Sequence, residues 1–256
     1  LISKFSKHVS IVIPRKLNEN FYFLIDICRH NEIEIIYNDQ SPPERISTVF
    51  LMDTPKPQMR ESFPGSESFI ERDDLLRIEI DHHLQADSAY GGDSGYRLVD
   101  EASSAAELVG ILACKLASRP ALTEAFHIQE LFSRNFVLAV LTGIIGDSKM
   151  GKYLKTRREH WFYGLFSKLF NEMLKGKTRR NSNNFFSKEQ VFTELQRLSR
   201  EEEECFNAMM GLQVSFSSKV AAVVIERGEM KDFSSRFDHD TIVSVARYTA
   251  DILAES

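Results

Sequence analysis

Short apolar stretches alternate along this chain with longer segments of helical periodicity, and this alternation most constrains the fold. The stretches are rich in β-branched side chains and bounded by polar or turn residues, which is typical of buried strands. The predicted strands are residues 9–13, 32–37, 49–52 and 76–80, and the predicted helices are residues 21–28, 103–116 and 132–145. Strands that alternate with helices form a mostly parallel sheet with helices on both faces, so we expect an α/β fold.

The helix predicted at 103–116 carries a recognisable start signal. Ser103 or Ser104 is a candidate N-cap, because a serine hydroxyl accepts a hydrogen bond from a free backbone N–H of the first turn. Glu107 stands three residues after Ser104, where a capping box places its acidic partner. The pattern therefore indicates that this helix starts at the serine pair.

The C-terminal third departs from the strand–helix alternation. Residues 175–184 are basic, polar and rich in Asn, which is typical of a linker or mobile loop. Residues 185–210 are predicted as one long amphipathic helix, followed by a strand at 220–225 and a helix at 240–253. One strand and one helix cannot enclose a core. We expect an α/β domain over 1–174, a linker and connecting helix over 175–213, and a second α/β domain over 214–256 that is incomplete or is completed by a partner.

Charge and cysteine content exclude several classes of protein. A net charge of −5 argues against a long nucleic acid held by bulk electrostatics. No apolar run reaches the roughly 18 residues of a membrane span, and no signal peptide is visible. Cys28, Cys114 and Cys205 fit neither a disulfide framework nor a zinc knuckle. These features predict a soluble, cytoplasmic protein with no membrane partner. Because Leu1 is not Met, we expect it to belong to a longer chain.

Acidic and histidine side chains directly follow several of the apolar segments. Asp81, His82 and His83 follow the strand at 76–80, Asp53 follows the strand at 49–52, and Asp147 follows an apolar segment closed by glycine. Open α/β sheets bind ligands at the carboxyl ends of their strands. Carboxylate and imidazole groups are common ligands of divalent metal ions. Adjacent histidines cannot serve one metal as a helical i, i+4 pair would, but one ring can bind metal while its neighbour faces a substrate phosphate. For the triplet taken alone, a structural or surface role is the alternative.

Four short motifs in a fixed order resemble those of the DHH phosphoesterase superfamily. They are Asp53, Thr54 and Pro55 (D-x-P), then Asp81, His82 and His83 (DHH), then the Ser103 and Ser104 helix start, and then Gly143 to Ser148 (G-I-x-x-D-[ST]). The superfamily includes nano-RNases, phosphatases of bisphosphonucleotides, cyclic dinucleotide hydrolases and exopolyphosphatases. The resemblance implies hydrolysis of phosphodiester or phosphoanhydride bonds in a small nucleotide or short oligonucleotide.

The resemblance also assigns roles to individual residues. In the family these motifs hold two manganese ions. By matching position, Asp53 would bridge the ions, His82 and Asp147 would bind the second ion, Asp81 would bind or orient a ligand, and His83 would contact the scissile phosphate. The candidate substrate-binding residues are Ser103, Ser104, Lys149 and Lys152. For the two lysines, a solvated loop and helix start remains the alternative.

The family's first motif, roughly H-x-N-P-D-x-D-A-x-G-S, is degenerate in this chain. Pro14 occupies the position of its histidine, and Asn18 and Asn20 occupy those of its two aspartates. An amide oxygen is a neutral ligand, so Asn20 is at best a weak one. We therefore expect one Mn²⁺ (or Mg²⁺) site rather than two.

Three functional hypotheses follow. The first is a weak metal-dependent phosphoesterase, and the second is a catalytically inactive relative that binds a nucleotide or regulates a partner. The third is a scaffold that forms a homodimer through the apolar helix at 132–145. The family's substrate-binding Gly-Gly-Gly-His motif does not occur before Ser256, so substrate recognition is in question as well as catalysis.

Overall fold

The structure is a computed structural model of the 256-residue chain. It describes residues 1–6, 8–41, 43, 45–56, 70–84, 88–174, 185–217 and 220–255. The predicted linker at 175–184 lies outside the described residues. The chain divides into two compact units, one of Leu1–Leu17 and Phe21–Leu195 and the other of Asn18–Asn20 and Gln196–Ser256.

The first unit begins with a parallel strand pair joined by a helix. Strand β1 (Ser10–Ile13) pairs in parallel with β2 (Glu34–Tyr37), and α1 (Tyr22–His30) connects them. The register runs from Ser10 opposite Glu34 to Ile13 opposite Tyr37. Parallel neighbours need a crossover connection, which α1 supplies.

A second parallel sheet supplies the strand ends that carry polar residues. Strands β3 (Thr48–Met52), β4 (Leu76–Asp81) and β5 (Arg97–Val99) are hydrogen-bonded in that order. Met52 lies opposite Ile80, so β3 and β4 reach the same edge of the sheet together. These parallel sheets and the helices around them confirm the predicted α/β class.

Within the described residues, five further helices belong to the first unit: α2 (Ala105–Ala117), α3 (Pro120–Ala125), α4 (Arg134–Asp147), α5 (Arg157–Leu174) and α6 (Lys188–Leu195). Helix α4 is the centre of their core and packs against α2, α5 and α6. Val137, Leu141, Ile144 and Ile145 are completely buried, as is Phe166 of α5. The apolar surface of α4 is therefore used inside the unit. A homodimer stays a prediction, but it no longer has this helix as its support.

Helices α2 and α4 cross at backbone distance. A Cβ atom placed on Gly143 would lie only 2.4 Å from the Cβ atom of Ala106, which is far inside van der Waals contact. Ala106 lies in the first turn of α2, and Gly143 lies one turn before Asp147, the last residue of α4. The crossing therefore fixes the end of α4 beside the start of α2.

The second unit has its own small core. It contains α7 (Arg200–Met210), β6 (Gln213–Ser217), β7 (Val220–Val223), α8 (Arg227–Arg236) and α9 (His239–Glu255), with β6 and β7 antiparallel. Its buried apolar residues are Cys205, Met209, Phe233, Phe237, Ile242 and Val245.

The prediction of one helix over 185–210 is wrong. Helix α6 ends at Leu195 and α7 begins at Arg200. Ser199 accepts a hydrogen bond from the N–H of Glu202 (3.2 Å), and the Glu202 carboxylate accepts one from the N–H of Ser199 (2.7 Å). This reciprocal capping box satisfies two backbone donors at a new helix start, so the amphipathic pattern continues while the helix does not.

Two features bear on the environment of the protein. Among the described residues, no helix is both long and apolar enough to cross a membrane. Cys28, Cys114 and Cys205 are all free thiols.

The helix crossing gives a stability prediction with a matched control. Gly143→Ala should lower the free energy of unfolding by about 1–3 kcal/mol, because the new methyl group overlaps Ala106 and forces the helices apart. Gly164→Ala, in α5, meets no atom within 4 Å and should raise it by about 0.5–1 kcal/mol through helix propensity alone. Urea unfolding of both variants measures the difference, and equal effects would contradict the tight crossing.

Candidate metal centre

Asp53 stands at the end of β3 in an unusual backbone conformation. Its φ angle is +56°, in the left-handed region that non-glycine residues seldom adopt. Its N–H donates to the carbonyl oxygen of Ile80 (3.0 Å), which extends the pairing with β4 by one residue. Backbone strain of this kind concentrates at functional sites, because the surrounding structure must hold it in place.

His82 brings three sequence-predicted ligands together. Its Nδ1 atom lies 3.0 Å from the carbonyl oxygen of Ala102, which fixes the direction of the ring. Its Nε2 atom lies 3.3 Å from Oδ1 of Asp53 and 3.8 Å from Oδ2 of Asp147. The ends of β3, β4 and α4 therefore converge on one imidazole nitrogen.

Asp81 and His83 form a second, connected pair. Oδ1 of Asp81 accepts hydrogen bonds from the N–H of His83 (2.7 Å) and from its Nδ1 atom (2.8 Å). Asp81 is completely buried, and no hydrogen-bond partner for its Oδ2 atom occurs in the described part of the chain. Nδ1 of His83 also lies 3.6 Å from Oδ1 of Asp53, so this nitrogen faces two carboxylates and Nε2 is left for a further ligand.

The donor set suits a divalent cation. Asp53, His82 and His83 each offer a ligand atom, and these atoms lie within 4.8 Å of one another. The Asp147 carboxylate adds a further oxygen beside His82. A metal-binding histidine commonly donates its second ring N–H to a carbonyl or carboxylate, as His82 does towards Ala102. Carboxylate and imidazole groups are common ligands of divalent metal ions, so the group could hold one such ion.

Electrostatic coupling in this group changes its protonation. The hydrogen bond to Asp53, together with the Ala102 carbonyl and Asp147, raises the pKa of His82 to about 9. The same hydrogen bond lowers the pKa of Asp53. Burial, and then the charge of Asp53, raise the pKa of Asp147. Without a metal, the His82 imidazolium therefore supplies the positive charge between the two carboxylates.

The two predicted substrate-binding serines form the start of α2. The Ser104 hydroxyl accepts from the N–H of Glu107 (3.1 Å), as the sequence predicts for the N-cap. Ser103 donates to Oε2 of Glu107 from its N–H (2.9 Å) and from its hydroxyl (2.6 Å). Both side chains thus have a structural role here.

A strained turn follows Asp147. Lys149, Met150 and Gly151 have φ angles of +44°, +59° and +88°, three consecutive left-handed residues. The Tyr163 hydroxyl donates to the carbonyl oxygen of Met150 (3.1 Å), and the Gly151 N–H donates to the Ser148 hydroxyl (3.0 Å). These bonds hold the backbone beyond the last candidate ligand.

The predicted phosphate-binding lysines flank an aromatic ring on this turn. The Nζ atoms of Lys149 and Lys152 lie 5.9 Å and 5.7 Å from the ring centroid of Tyr153. The Tyr153 side chain is about half exposed. The arrangement places two cationic groups and an accessible aromatic ring directly after Asp147.

The degenerate first motif has a different set of contacts. Asn18 and Asn20 belong to the second unit, where the Asn18 amide donates to Oε1 of Glu202 (2.9 Å) and Asn20 is buried. Pro14 directly follows β1 in the first unit. The first unit by itself therefore supplies the residues that converge on His82.

Sequence reasoning missed the groups that support the ligands. The Ala102 carbonyl holds His82, and Arg158 forms ion pairs with Asp100 and Glu107 nearby in the fold. A backbone acceptor leaves no signature in a sequence. The partners of Arg158 are too distant along the chain for their pairing to be visible there.

Comparison of the chain with protein-family models and with curated proteins finds no match in either.

The raised pKa of His82 predicts a pH-dependent stability of the metal-free protein. The pKa of a histidine rises from 6.5 in the unfolded chain to about 9 here, so the stabilisation is complete below about pH 6.5 and is lost as the pH rises through 9. NMR of ¹⁵N-labelled histidines in EDTA should show His82 titrating near pH 9. Asp53→Asn should move that titration down and flatten the loss of stability between pH 6.5 and 9.

His82→Gln assigns the signal in the same experiment. A wild-type His82 that titrates near pH 6.5 would contradict the contact with Asp53.

The Asn18 contact predicts that an aspartate at this position is destabilising. Asn18→Asp removes the N–H donor and places a second carboxylate against Glu202, which should cost about 1–3 kcal/mol at pH 7. Repulsion raises the pKa of the introduced carboxyl group above its unfolded value, so the deficit should shrink below about pH 4. Asn18→Ala, which loses the bond without repulsion, should show no such pH dependence in denaturant unfolding.

Proposed function

We propose that this chain is a divergent DHH-type phosphoesterase that binds one divalent cation between Asp53, His82 and Asp147. Its substrates are small nucleotides or short oligonucleotides, in which it hydrolyses phosphodiester or phosphoanhydride bonds. The observation that carries the proposal is that the carboxylates of Asp53 and Asp147 both lie within 3.8 Å of Nε2 of His82, although the three residues come from three separate elements.

The residues around the cation have distinct tasks. When bound, the cation supplies charge neutralisation at the phosphoryl oxygens and activation of a water molecule. Asp81 holds the His83 ring, so that Nε2 of His83 can donate a hydrogen bond to the scissile phosphate or a proton to the leaving oxygen. Lys149 and Lys152 offer positive charge to a second phosphate.

The degenerate first motif supports one cation site rather than two. Pro14 has no ligand atom in its side chain, and Asn18 is hydrogen-bonded to Glu202. Two carboxylates and an imidazole carry enough charge for one divalent ion. Manganese is the better match because it accepts imidazole nitrogen more readily than magnesium does. A reducing cytoplasm is the compartment that we propose, in keeping with the three free thiols.

A nucleotide-binding protein without hydrolytic activity is the second candidate. The observation in its favour is the Asn18–Glu202 hydrogen bond, which gives the first-motif residue a structural role in place of a catalytic one. Under this alternative the same residues bind phosphate through the cation and the lysines, and no bond is cleaved.

Calorimetric titration with Mn²⁺ tests the cation site. We expect one site per chain for the wild type and none for Asp53→Ala. Asp73→Ala, which removes an exposed carboxylate from the same unit, is the control and should bind like the wild type. Equal Mn²⁺ binding by wild type and Asp53→Ala would overturn both candidate functions.

Hydrolysis separates the two candidates. With Mn²⁺ present, cleavage of a dinucleotide or of a 3',5'-bisphosphonucleotide should fall by about 10²-fold in His83→Ala, because that group contacts the reacting phosphate. Mn²⁺-dependent nucleotide binding without any cleavage would establish the binding protein instead.

A further inference from the structure

The direction of the His82 ring depends on a backbone atom. Ala102, whose carbonyl oxygen lies 3.0 Å from Nδ1 of His82, belongs to the short connection between β5 and α2. A connection of this kind holds a carbonyl in place only if its own ends are fixed. The groups that fix residues 100–104 therefore act on His82.

Asp100 fixes the first end of the connection. Its N–H donates to the carbonyl oxygen of Asp81 (3.3 Å), the last residue of β4. Its Oδ1 atom accepts from the N–H of Glu101 (2.8 Å), and its Oδ2 atom accepts from Arg158 (2.7 Å). The Arg158 guanidinium also holds the pKa of Asp100 below its usual value.

Glu107 fixes the second end. Its Oε2 atom accepts both the N–H and the hydroxyl of Ser103, the residue after Ala102. The Glu107 side chain is completely buried, and its Oε1 atom lies 3.5 Å from Nε of Arg158. A buried carboxylate needs a compensating charge, and the guanidinium supplies it.

Arg158, in the first turn of α5, thus contacts both of the carboxylates that fix the ends of the connection. Its NH1 atom contacts Asp100 and its Nε atom faces Glu107. These two carboxylates bracket Ala102 on either side. The contact with Asp100 is a hydrogen bond and that with Glu107 is an ion pair, since neither Nε of Arg158 nor Oε1 of Glu107 has a hydrogen-bond partner in the described part of the chain. A planar guanidinium fork can make both contacts at once, which the compact ammonium of a lysine does less well.

We propose that Arg158 is a positioning residue for the cation site, acting through Asp100 and Glu107 on the Ala102 carbonyl and so on the His82 ring. The inference rests on the proposed function in one respect, because the orientation of His82 matters through its effect on the affinity for the cation. Supporting groups of metal-binding histidines typically change metal affinity by about 10–100-fold when removed.

Mn²⁺ titration of the whole chain tests this effect. Arg158→Gln should weaken Mn²⁺ binding by about tenfold, at the low end of that range because Arg158 acts through intermediates. Arg157→Gln removes the same charge from the neighbouring exposed position and should bind like the wild type. Arg158→Lys keeps the positive charge but not the planar guanidinium, so its Mn²⁺ affinity should lie between those of the other two variants. Equal affinities for Arg158→Gln and Arg157→Gln would overturn the proposal.

A spectroscopic measurement in metal-free protein separates this inference from the proposed function. The Nδ1–H proton of His82 should exchange slowly with water in the wild type, since it is bonded to Ala102. In Arg158→Gln that exchange should be at least several times faster, while Arg157→Gln should not differ from the wild type. Unchanged exchange in Arg158→Gln would overturn the positioning role. Absence of Mn²⁺ binding in the wild type would overturn the proposed function but leave this measurement decisive.

Should Arg158→Gln fail to fold, Asp100→Asn provides the same test. This substitution removes the charge that pairs with Arg158 and keeps the shape of the exposed side chain. We expect faster exchange of the His82 Nδ1–H in this variant too, and wild-type exchange would overturn the role of Asp100 and Arg158 together.

Discussion

The parallel pairing of β3 with β4 decides where the polar residues of this chain meet. Because Met52 lies opposite Ile80, Asp53 and the Asp81–His83 segment leave the sheet at the same level. The hydrogen bond from Asp53 to the carbonyl of Ile80 continues that register one residue further. A shift of one residue in the pairing would separate Asp53 from His82, and the remaining contacts of the site would have no common centre.

Much of the fold could be predicted from the residues. The strands predicted at 9–13, 32–37, 49–52 and 76–80 are present to within two residues, because short apolar stretches bounded by turn residues usually form strands. Strand β5 has only three residues and carries too little pattern to recognise. The break between α6 and α7 was missed because amphipathic spacing continues across it, although Ser199 and Glu202 carry the capping signature.

Some residues of the candidate site could likewise be predicted from the sequence, and others could not. Asp53, His82 and Asp147 could be selected from sequence, because each follows an apolar segment and has a side chain able to bind metal. Their supports could not: Ala102 acts through its backbone, and Arg158 reaches its partners only after α5 packs beside the start of α2. Residues that bind metal can be recognised in a sequence by their type. Residues that orient them cannot, because their role depends on which groups lie close in the folded chain.

The close crossing of α2 and α4 limits how this site can move. At the point where Gly143 lies against Ala106 no larger side chain fits between the two helices, so sliding one along the other would bring larger side chains into this contact. The beginning of α2 and the end of α4 must therefore travel as one rigid piece. A movement that opens the site is therefore expected in the connections that follow the strands rather than at this helix crossing.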